Sequence, residues 1–420
     1  MKHSAFDTTL LEGVSAQPVK CDTLCRRMVH KRLSGIEEGL ITISDPMGKF
    51  DFGQFSDGFP VKASVRVYQP RFYARIAMGG SIGAAESYMD GDWATDDLPK
   101  LCRILARNSA TLDAMDKRLS DIQAPLLKAY HWFNKNSRGG SRRNIAAHYD
   151  LGNDFFKTFL DETMAYSSGY FESVADSLAQ ASINKFDRLC QKLHLNPDDH
   201  LLEIGSGWGG FACHAAKTYG CRVTTITISR EQLAITQERI REEGLADRVT
   251  AKFCDYRDVT GSYTKIASIE MIEAVGHQYY PTFFKQCMRL LRKDGLLGLQ
   301  AITIRDQQYK FARRNVDFIK RYIFPGGCLP SHTTLCNVAT KHSDLALIRL
   351  DDMTPHYART LSKWRERFLE NEPRIAGLGY SESFRRMWNF YLCYCQAGFE
   401  EHLTGVSQLV YARPGYRAPM

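Results

Sequence analysis

The stretch from His200 to Phe211, HLLEIGSGWGGF, constrains this chain more than any other. Leu201, Leu202 and Ile204 form a short apolar run of the kind that becomes a buried parallel strand, and Gly205, Gly207, Gly209 and Gly210 follow it at once. Glycines in that place let the backbone bend with unusual φ/ψ and let a ligand come close. The helix that the turn opens offers free N–H groups and the positive end of its dipole. The spacing departs from the dinucleotide fingerprint GxGxxG, because Gly205 and Gly207 are followed by Gly209 and Gly210.

On either side of this turn, helix and strand patterns alternate. A helix is predicted from Ser177 to Leu193. After the turn come CRVTTITIS, EQLAITQERIREEG, VTAKFCD, KIASIEMIE, PTFFKQCMRLLRKDG and LLGLQAITI. Such alternation predicts an α/β fold with a doubly wound parallel sheet, whose ligands bind beyond the carboxyl ends of the strands. An aromatic and basic insert at residues 305–345 interrupts the pattern. It resumes with LALIRLDDMT, helices from His356 to Glu370 and Glu382 to Glu401, and a last strand, SQLVYAR.

Ahead of this region, residues 1–134 read as a smaller α+β domain. It has a helix near Asp22 to Leu33, hairpin patterning in LITISDPMGKFDFG and PVKASVRVYQPRFYARI, and a helix from Leu98 to Leu119. KNSRGGSRR, residues 135–143, is glycine-, serine- and arginine-rich and reads as a linker to a second domain at 144–420.

Bulk properties narrow the function. The twelve cysteines include no CxxC pair, which argues against a zinc site or redox dithiol and for reduced core residues. No apolar run reaches the roughly 20 residues of a membrane span, and the first residues lack the apolar segment of a signal peptide, so a cytoplasmic location is expected. A formal charge of +8 favours an anionic partner, nucleic acid or phospholipid headgroups; no nucleic-acid motif accompanies it.

Candidate ligand groups gather at the predicted strand ends. Thr227, Ile228 and Ser229 close the second strand, where an acidic residue for ribose hydroxyls is absent, and Gln232 with the hydroxyls could hydrogen-bond instead. Asp255 and Tyr256 end the third strand, suited to an adenine edge and face, although Asp255 serves equally well as a helix N-cap. Glu270 and Glu273 lie at the end of the fourth.

With Glu203 two residues before Gly205, the E-x-G-x-G-x-G pattern resembles the nucleotide loop of class I S-adenosylmethionine (SAM)-dependent methyltransferases. Longer blocks sharpen this: HYDLGNDFFKTFLDETMAYSSGYF, LLEIGSGWGGFA, ITISREQ, EMIEAVGHQYYPTFFKQCMRLLRKDGLLGLQAI, HYARTLSKW and FRRMWNFYLCYCQAGF. Over roughly residues 40–412 the chain resembles the cyclopropane-fatty-acyl-phospholipid synthases and their relatives, the mycolic acid cyclopropane synthases. That resemblance implies a class I methyltransferase (Rossmann-like) domain, with a first domain of lipid or dimerisation type and the insert at 305–345 binding the acyl chain. It implies a SAM site of Tyr166, Ser167, Glu203, Gly205, Ser206, Gly207, Trp208, Gly209, Thr227, Ile228, Ser229, Gln232, Asp255, Tyr256 and Arg257. It also implies a peripheral enzyme on the inner face of the membrane, acting on unsaturated phospholipid acyl chains, and a homodimer.

In that family the double bond takes the SAM methyl group, and a bicarbonate ion, held by a cysteine, a glutamate, a histidine, a tyrosine and a backbone carbonyl, removes the proton that allows ring closure. Matched by motif, the glutamate is Glu273, the tyrosine Tyr357 and the carbonyl that of Ile302. Two positions depart: Ser168 stands for the cysteine and Gln300 for the histidine, which puts the bicarbonate in doubt, since neither side chain titrates near neutrality. A displaced base would give a methyl- or methylene-branched chain, with Glu273 or Tyr357 acting directly. Two other readings stay open, a lipid-binding homologue without catalysis and methylation of a small soluble molecule. Cys395 matches a family cysteine once given a catalytic role, although Phe390, Tyr391 and Leu392 beside it favour packing. Tyr309, Phe311, Phe318, Tyr322 and Phe324 would line the acyl channel. Arg313, Arg314, Lys320 and Arg321, with Arg142, Arg143, Arg385 and Arg386, form either a headgroup surface or a solvated face.

Overall fold

Four strands form a first, small sheet: β1 (Gly39–Asp45), β2 (Gly48–Gln54), β3 (Lys62–Val67) and β4 (Trp93–Thr95), in the order β2-β1-β3-β4. The computed structural model describes residues 20–112 and 151–418, so the boundary at 134 and the linker 135–143 lie outside the described residues. The β1–β2 hairpin turns at Asp45-Pro46, as its turn chemistry predicts. RFYARI, in contrast, starts helix Arg71–Met89 and is no strand. Pro70 sets the helical φ at its start, and Phe72, Tyr73 and Ala77 share a buried face at helical spacing. The helix predicted from Leu98 is helical through Arg107, capped by the Asp97 side chain on the Lys100 N–H; its stretch beyond 112 lies outside the described residues.

The large sheet has seven strands: β5 (His200–Ile204), β6 (Arg222–Thr227), β7 (Val249–Phe253), β8 (Tyr263–Ile269), β9 (Leu291–Ile304), β10 (Ala346–Asp352) and β11 (Thr404–Ala412). Their order is β10-β11-β9-β8-β5-β6-β7. β5 through β9 pair in parallel, while β11 runs antiparallel between β9 and β10. The chain is therefore an α/β protein of class I methyltransferase architecture. The order of winding reverses at β5, which puts the glycine turn at the crevice where such sheets bind ligands. Two boundaries differ from the sequence pattern. The helix read through RKDG ends at Leu290, because Leu291 already pairs with Tyr263 of β8 and is buried there. β8 stops at Ile269, since Glu270 takes a left-handed φ of 48°.

The insert and the last helices join the two sheets. Helix Glu382–Glu400 packs between helices Leu98–Arg107 and Thr354–Glu370. Arg386 donates to the Tyr88 and Trp93 carbonyls (2.5 and 3.0 Å), Arg321 pairs with Glu86 (2.9 Å), and Arg385 donates to the Tyr380 carbonyl (2.7 Å). Lys320 donates to the Asn315 carbonyl (2.8 Å). Four of the cations read as a headgroup surface are thus engaged within the fold; Arg314 is exposed, Arg313 lies over the Tyr309 ring, and Arg142 and Arg143 are outside the described residues. Among the described residues no helix is long and apolar enough to cross a membrane.

Candidate active site

Gly205, Gly207 and Gly209 all adopt positive φ (97°, 49° and 85°), a conformation strained for any residue with a Cβ. They serve different ends. A Cβ on Gly207 would meet nothing within 4 Å, so its backbone faces open cavity. A Cβ on Gly209 would stand 2.9 Å from Thr236 Cγ2, so that glycine fits the loop against the next helix. The turn then feeds helix Gly210–Tyr219, whose first N–H groups are the free donors a nucleotide needs.

Around this turn the cavity wall carries Tyr166, Ser167, Glu203, Gly205, Ser206, Gly207, Trp208, Thr227, Ile228, Gln232, Asp255, Tyr256 and Arg257. Gly209 and Ser229 are absent from it. Ser229 caps helix Arg230–Glu242 by accepting from the Gln232 N–H (3.3 Å). Asp255 both caps the turn Tyr256–Asp258 and receives two hydrogen bonds from the Arg257 guanidinium (2.8 and 2.6 Å). Thr227 donates to Gln232 Oε1 (3.0 Å), and the Trp208 indole donates to Asn153 (2.7 Å). Glu203 is fully enclosed in β5 and accepts from Thr225 (2.5 Å); burial pushes its pKa up to about 8. These hydrogen-bonding groups and the open space at Gly207 suit a nucleoside ligand, and SAM is one.

A second group of polar side chains lies beyond the end of β8. Glu270 Oε1 accepts from the Ser168 N–H (2.9 Å) and from Gln300 Nε2 (2.8 Å), and the Tyr357 hydroxyl lies beside this carboxylate and favours its charge. The amide of Gln300 is oriented from behind: Gln408, its register partner on β11, donates to Gln300 Oε1 (3.0 Å). Gln408 in turn accepts from Lys192 (2.7 Å), which pairs with Asp351 (2.6 Å). That chain of partners fixes which end of each amide faces Glu270. Burial raises the Glu270 pKa, while Lys185, Gln300, Ser168 and Tyr357 all favour its ionised form. Lys185 is itself enclosed, donates to Ser167 Oγ (2.5 Å), and is pulled by desolvation down to about 8.

Glu273, one turn further on, differs. Its Oε1 accepts from the Ile302 N–H (2.5 Å), but Oε2 is buried without a partner, and its pKa rises to about 8 through burial and the neighbouring Glu270 charge. Burial raises both carboxyl groups, but they are furnished differently: Glu270 has donors on its carboxylate, whereas one Glu273 oxygen has none. Tyr357 is held well above its ordinary pKa by burial and by Glu270, which keeps it a hydrogen-bond donor.

Both groups open on a single cavity of about 1610 Å³, larger than the roughly 300–1,000 Å³ of a one-ligand pocket. Past Glu270 and Glu273 its walls turn apolar, with Ile302, Ile304, Phe324, Leu361, Phe390 and Phe399. The Tyr166 ring, its hydroxyl tied to Tyr391 (2.8 Å), lies 5.2 Å from Trp364 and 6.4 Å from Phe324. Such rings can stabilise a cation formed between them. Phe311 and Phe324 of the insert face the cavity, whereas Phe318 is buried against Phe390. Cys395 lines the cavity, but burial drives its thiol far above neutrality, so no thiolate is available.

Of the six residues matched to catalysis, Glu273, Tyr357, Ile302 and Cys395 face the cavity, and Ser168 and Gln300 stand behind Glu270. Ser168 contributes its backbone N–H, since its hydroxyl donates to the Gly169 carbonyl (3.0 Å). Sequence reasoning gave Glu270 no role and missed Lys185, Gln408 and Lys192. A buried charge can be suspected from Lys185 and Lys192 inside an otherwise amphipathic helix, but their partners Glu270, Asp351 and Gln408 lie on later, distant strands and turns.

Known proteins resemble this chain in sequence and in fold. Residues 136–409 match the family model for mycolic acid cyclopropane synthetase. A tuberculostearic acid methyltransferase of Mycobacterium tuberculosis is 38% identical over 85% of this chain and 84% of its own length. A probable fatty acid methyltransferase of Pseudomonas putida is 37% identical (87% and 91%), and a cyclopropane-fatty-acyl-phospholipid synthase of Escherichia coli 36% (84% and 88%). Among solved structures, a mycolic acid cyclopropane synthase complexed with SAH and CTAB superposes with a TM-score of 0.61 at 32% identity, over 64% of this chain and 98% of that one.

Proposed function

The chain belongs to the mycolic acid cyclopropane synthetase family of SAM-dependent lipid methyltransferases, and we propose that it methylates cis double bonds of unsaturated fatty acyl chains in membrane phospholipids, closing a cyclopropane ring. The observation that carries this reading is that one cavity is lined by the open glycine turn, by the Glu270 and Glu273 carboxyl groups and by apolar side chains. SAM, when bound, supplies an electrophilic methyl group on sulfur. Gly205, Gly207, Gln232, Asp255 and Tyr256 would hold it. The apolar channel would take the acyl chain, with the headgroup left at a membrane surface. Tyr166 and its neighbouring rings would stabilise the cation that methylation leaves on the chain.

A second reading is favoured by the relatives at 38% and 37% identity, whose names describe methylated fatty acids: the product is a methyl- or methylene-branched chain. One experiment tests both. The protein is incubated with methyl-deuterated SAM and vesicles of unsaturated phospholipid, and the fatty acids are analysed by gas chromatography with mass spectrometry. A saturated ring retaining two deuteriums is the expected product. A branched chain replaces that reading with the second, and the absence of any labelled lipid overturns both.

A further inference from the structure

In the family's scheme an anion sits among the donors beyond the fourth strand of the methyltransferase sheet. In this chain those donors are already taken. The Ser168 N–H and the Gln300 amide both donate to the Glu270 carboxylate, and the Tyr357 hydroxyl lies beside it. A free bicarbonate in the same place would find its donors occupied and would bring a second negative charge beside Glu270, in a pocket where burial and the Glu270 charge already push the Glu273 carboxyl up. The residues present therefore do not fit bicarbonate.

We propose that Glu270 is the proton acceptor of this reaction, a carboxylate built into the chain at the position where the family uses a bound ion. The inference rests on the function proposed above. Three observations support it besides the hydrogen bonds. Glu270 lines the cavity, between the glycine turn and the apolar channel. It sits at φ 48°, a left-handed conformation that costs a residue with a long side chain and persists where surrounding structure holds it for a purpose. The relay Asp351–Lys192–Gln408–Gln300 crosses the sheet to present one amide N–H to it. The two departures at Ser168 and Gln300 then belong together with Glu270. A glutamine suits a permanent carboxylate because it donates without titrating.

The step balances as follows. The π electrons of the acyl double bond form the bond to the transferred methyl group, the sulfur keeps the pair of the bond that breaks, and a cation remains on the neighbouring acyl carbon. Glu270 then takes a proton from the added methyl group. The pair of that C–H bond closes the ring, or, once a hydride has moved to the cationic carbon, forms a C=CH₂ branch. Glu270 ends as the neutral acid and returns its proton to solvent.

The test compares the full-length wild type, Glu270→Gln and Glu270→Gly, with and without added bicarbonate in buffer freed of carbon dioxide. Lipid labelling is one readout and binding of ¹³C-bicarbonate by NMR the other. Wild-type labelling is expected not to respond to bicarbonate, and wild type is expected not to bind the ion. Glu270→Gln, which keeps the shape, should fall about 10²–10⁴-fold in labelling while still binding SAM. Glu270→Gly, relieved of its left-handed strain, should bind bicarbonate and recover activity with it. A wild type that requires or binds bicarbonate, or a Glu270→Gln variant of full activity, overturns the assignment while leaving acyl methylation in place. Should wild type label no lipid, the functional reading fails, and the ¹³C binding comparison still decides whether Glu270 holds the anion's place.

Discussion

The two polar ends of the cavity are built on opposite plans. The nucleotide end is built from three short segments, Gly205 to Gly209, Thr227 to Gln232 and Asp255 to Arg257; the last two are tied by hydrogen bonds within themselves, and the first is held by the neighbouring strand through the Ile226 carbonyl. The carboxylate end is assembled from afar, since Glu270 takes donors from residues 168 and 300 with Tyr357 beside it, and the amide behind it leans on Gln408. Binding a nucleotide needs a backbone shape, which a few glycines encode. Furnishing two neighbouring carboxyl groups differently needs burial and convergent donors, which only packing supplies.

Gly205→Val attacks the local plan and should have the largest effect. At φ 97° with Met271 Cγ 3.2 Å from the new Cβ, it is expected to weaken SAM binding by about 3 kcal/mol, roughly a hundredfold in Kd by calorimetry. An effect equally large on lipid binding but absent for SAM would contradict the division of the cavity.

Tyr357→Phe attacks the assembled plan. Losing one donor to a charged acceptor should lower kcat about tenfold to a hundredfold with SAM affinity unchanged. Because Tyr357 favours the ionised form of Glu270, the acid limb of the pH–rate profile should also move up in pH. A shift in SAM affinity in place of kcat would join the two ends that the structure separates.

Glu203 sharpens the comparison through stability. Its folded pKa of about 8 lies above the ordinary carboxylate value, so the folded state binds the proton more tightly. Its contribution is fully present below about pH 4.5 and is lost as pH rises through 8. Glu203→Gln carries no proton to lose. The variant should gain on wild type by on the order of 1–3 kcal/mol between pH 5 and 9, read from denaturant midpoints. A constant difference across that range would place the shift elsewhere. The smallest effect belongs to Cys395→Ala, with kcat unchanged and a stability loss of about 1 kcal/mol or less, because the thiol serves only as wall; a hundredfold loss of rate would restore it to the chemistry.

By itself the sequence determined the α/β alternation, the glycine turn and the family to which the chain belongs, because these rest on hydrophobic period and on backbone conformations that few residues allow. It also marked Ser168 and Gln300 as departures. The tertiary structure alone decided what those departures mean. It ended β8 at Ile269, gave Glu270 its left-handed turn, drew Ser168, Gln300 and Tyr357 around it, and buried Glu273 with one oxygen unpartnered. It likewise tied Arg385 and Arg386 to backbone carbonyls and paired the exposed Arg321 with Glu86, where composition suggested a free charged surface. The reason is physical: a strand's period is written in neighbouring residues, whereas desolvation and charge partners depend on groups that meet only when distant segments of chain pack together.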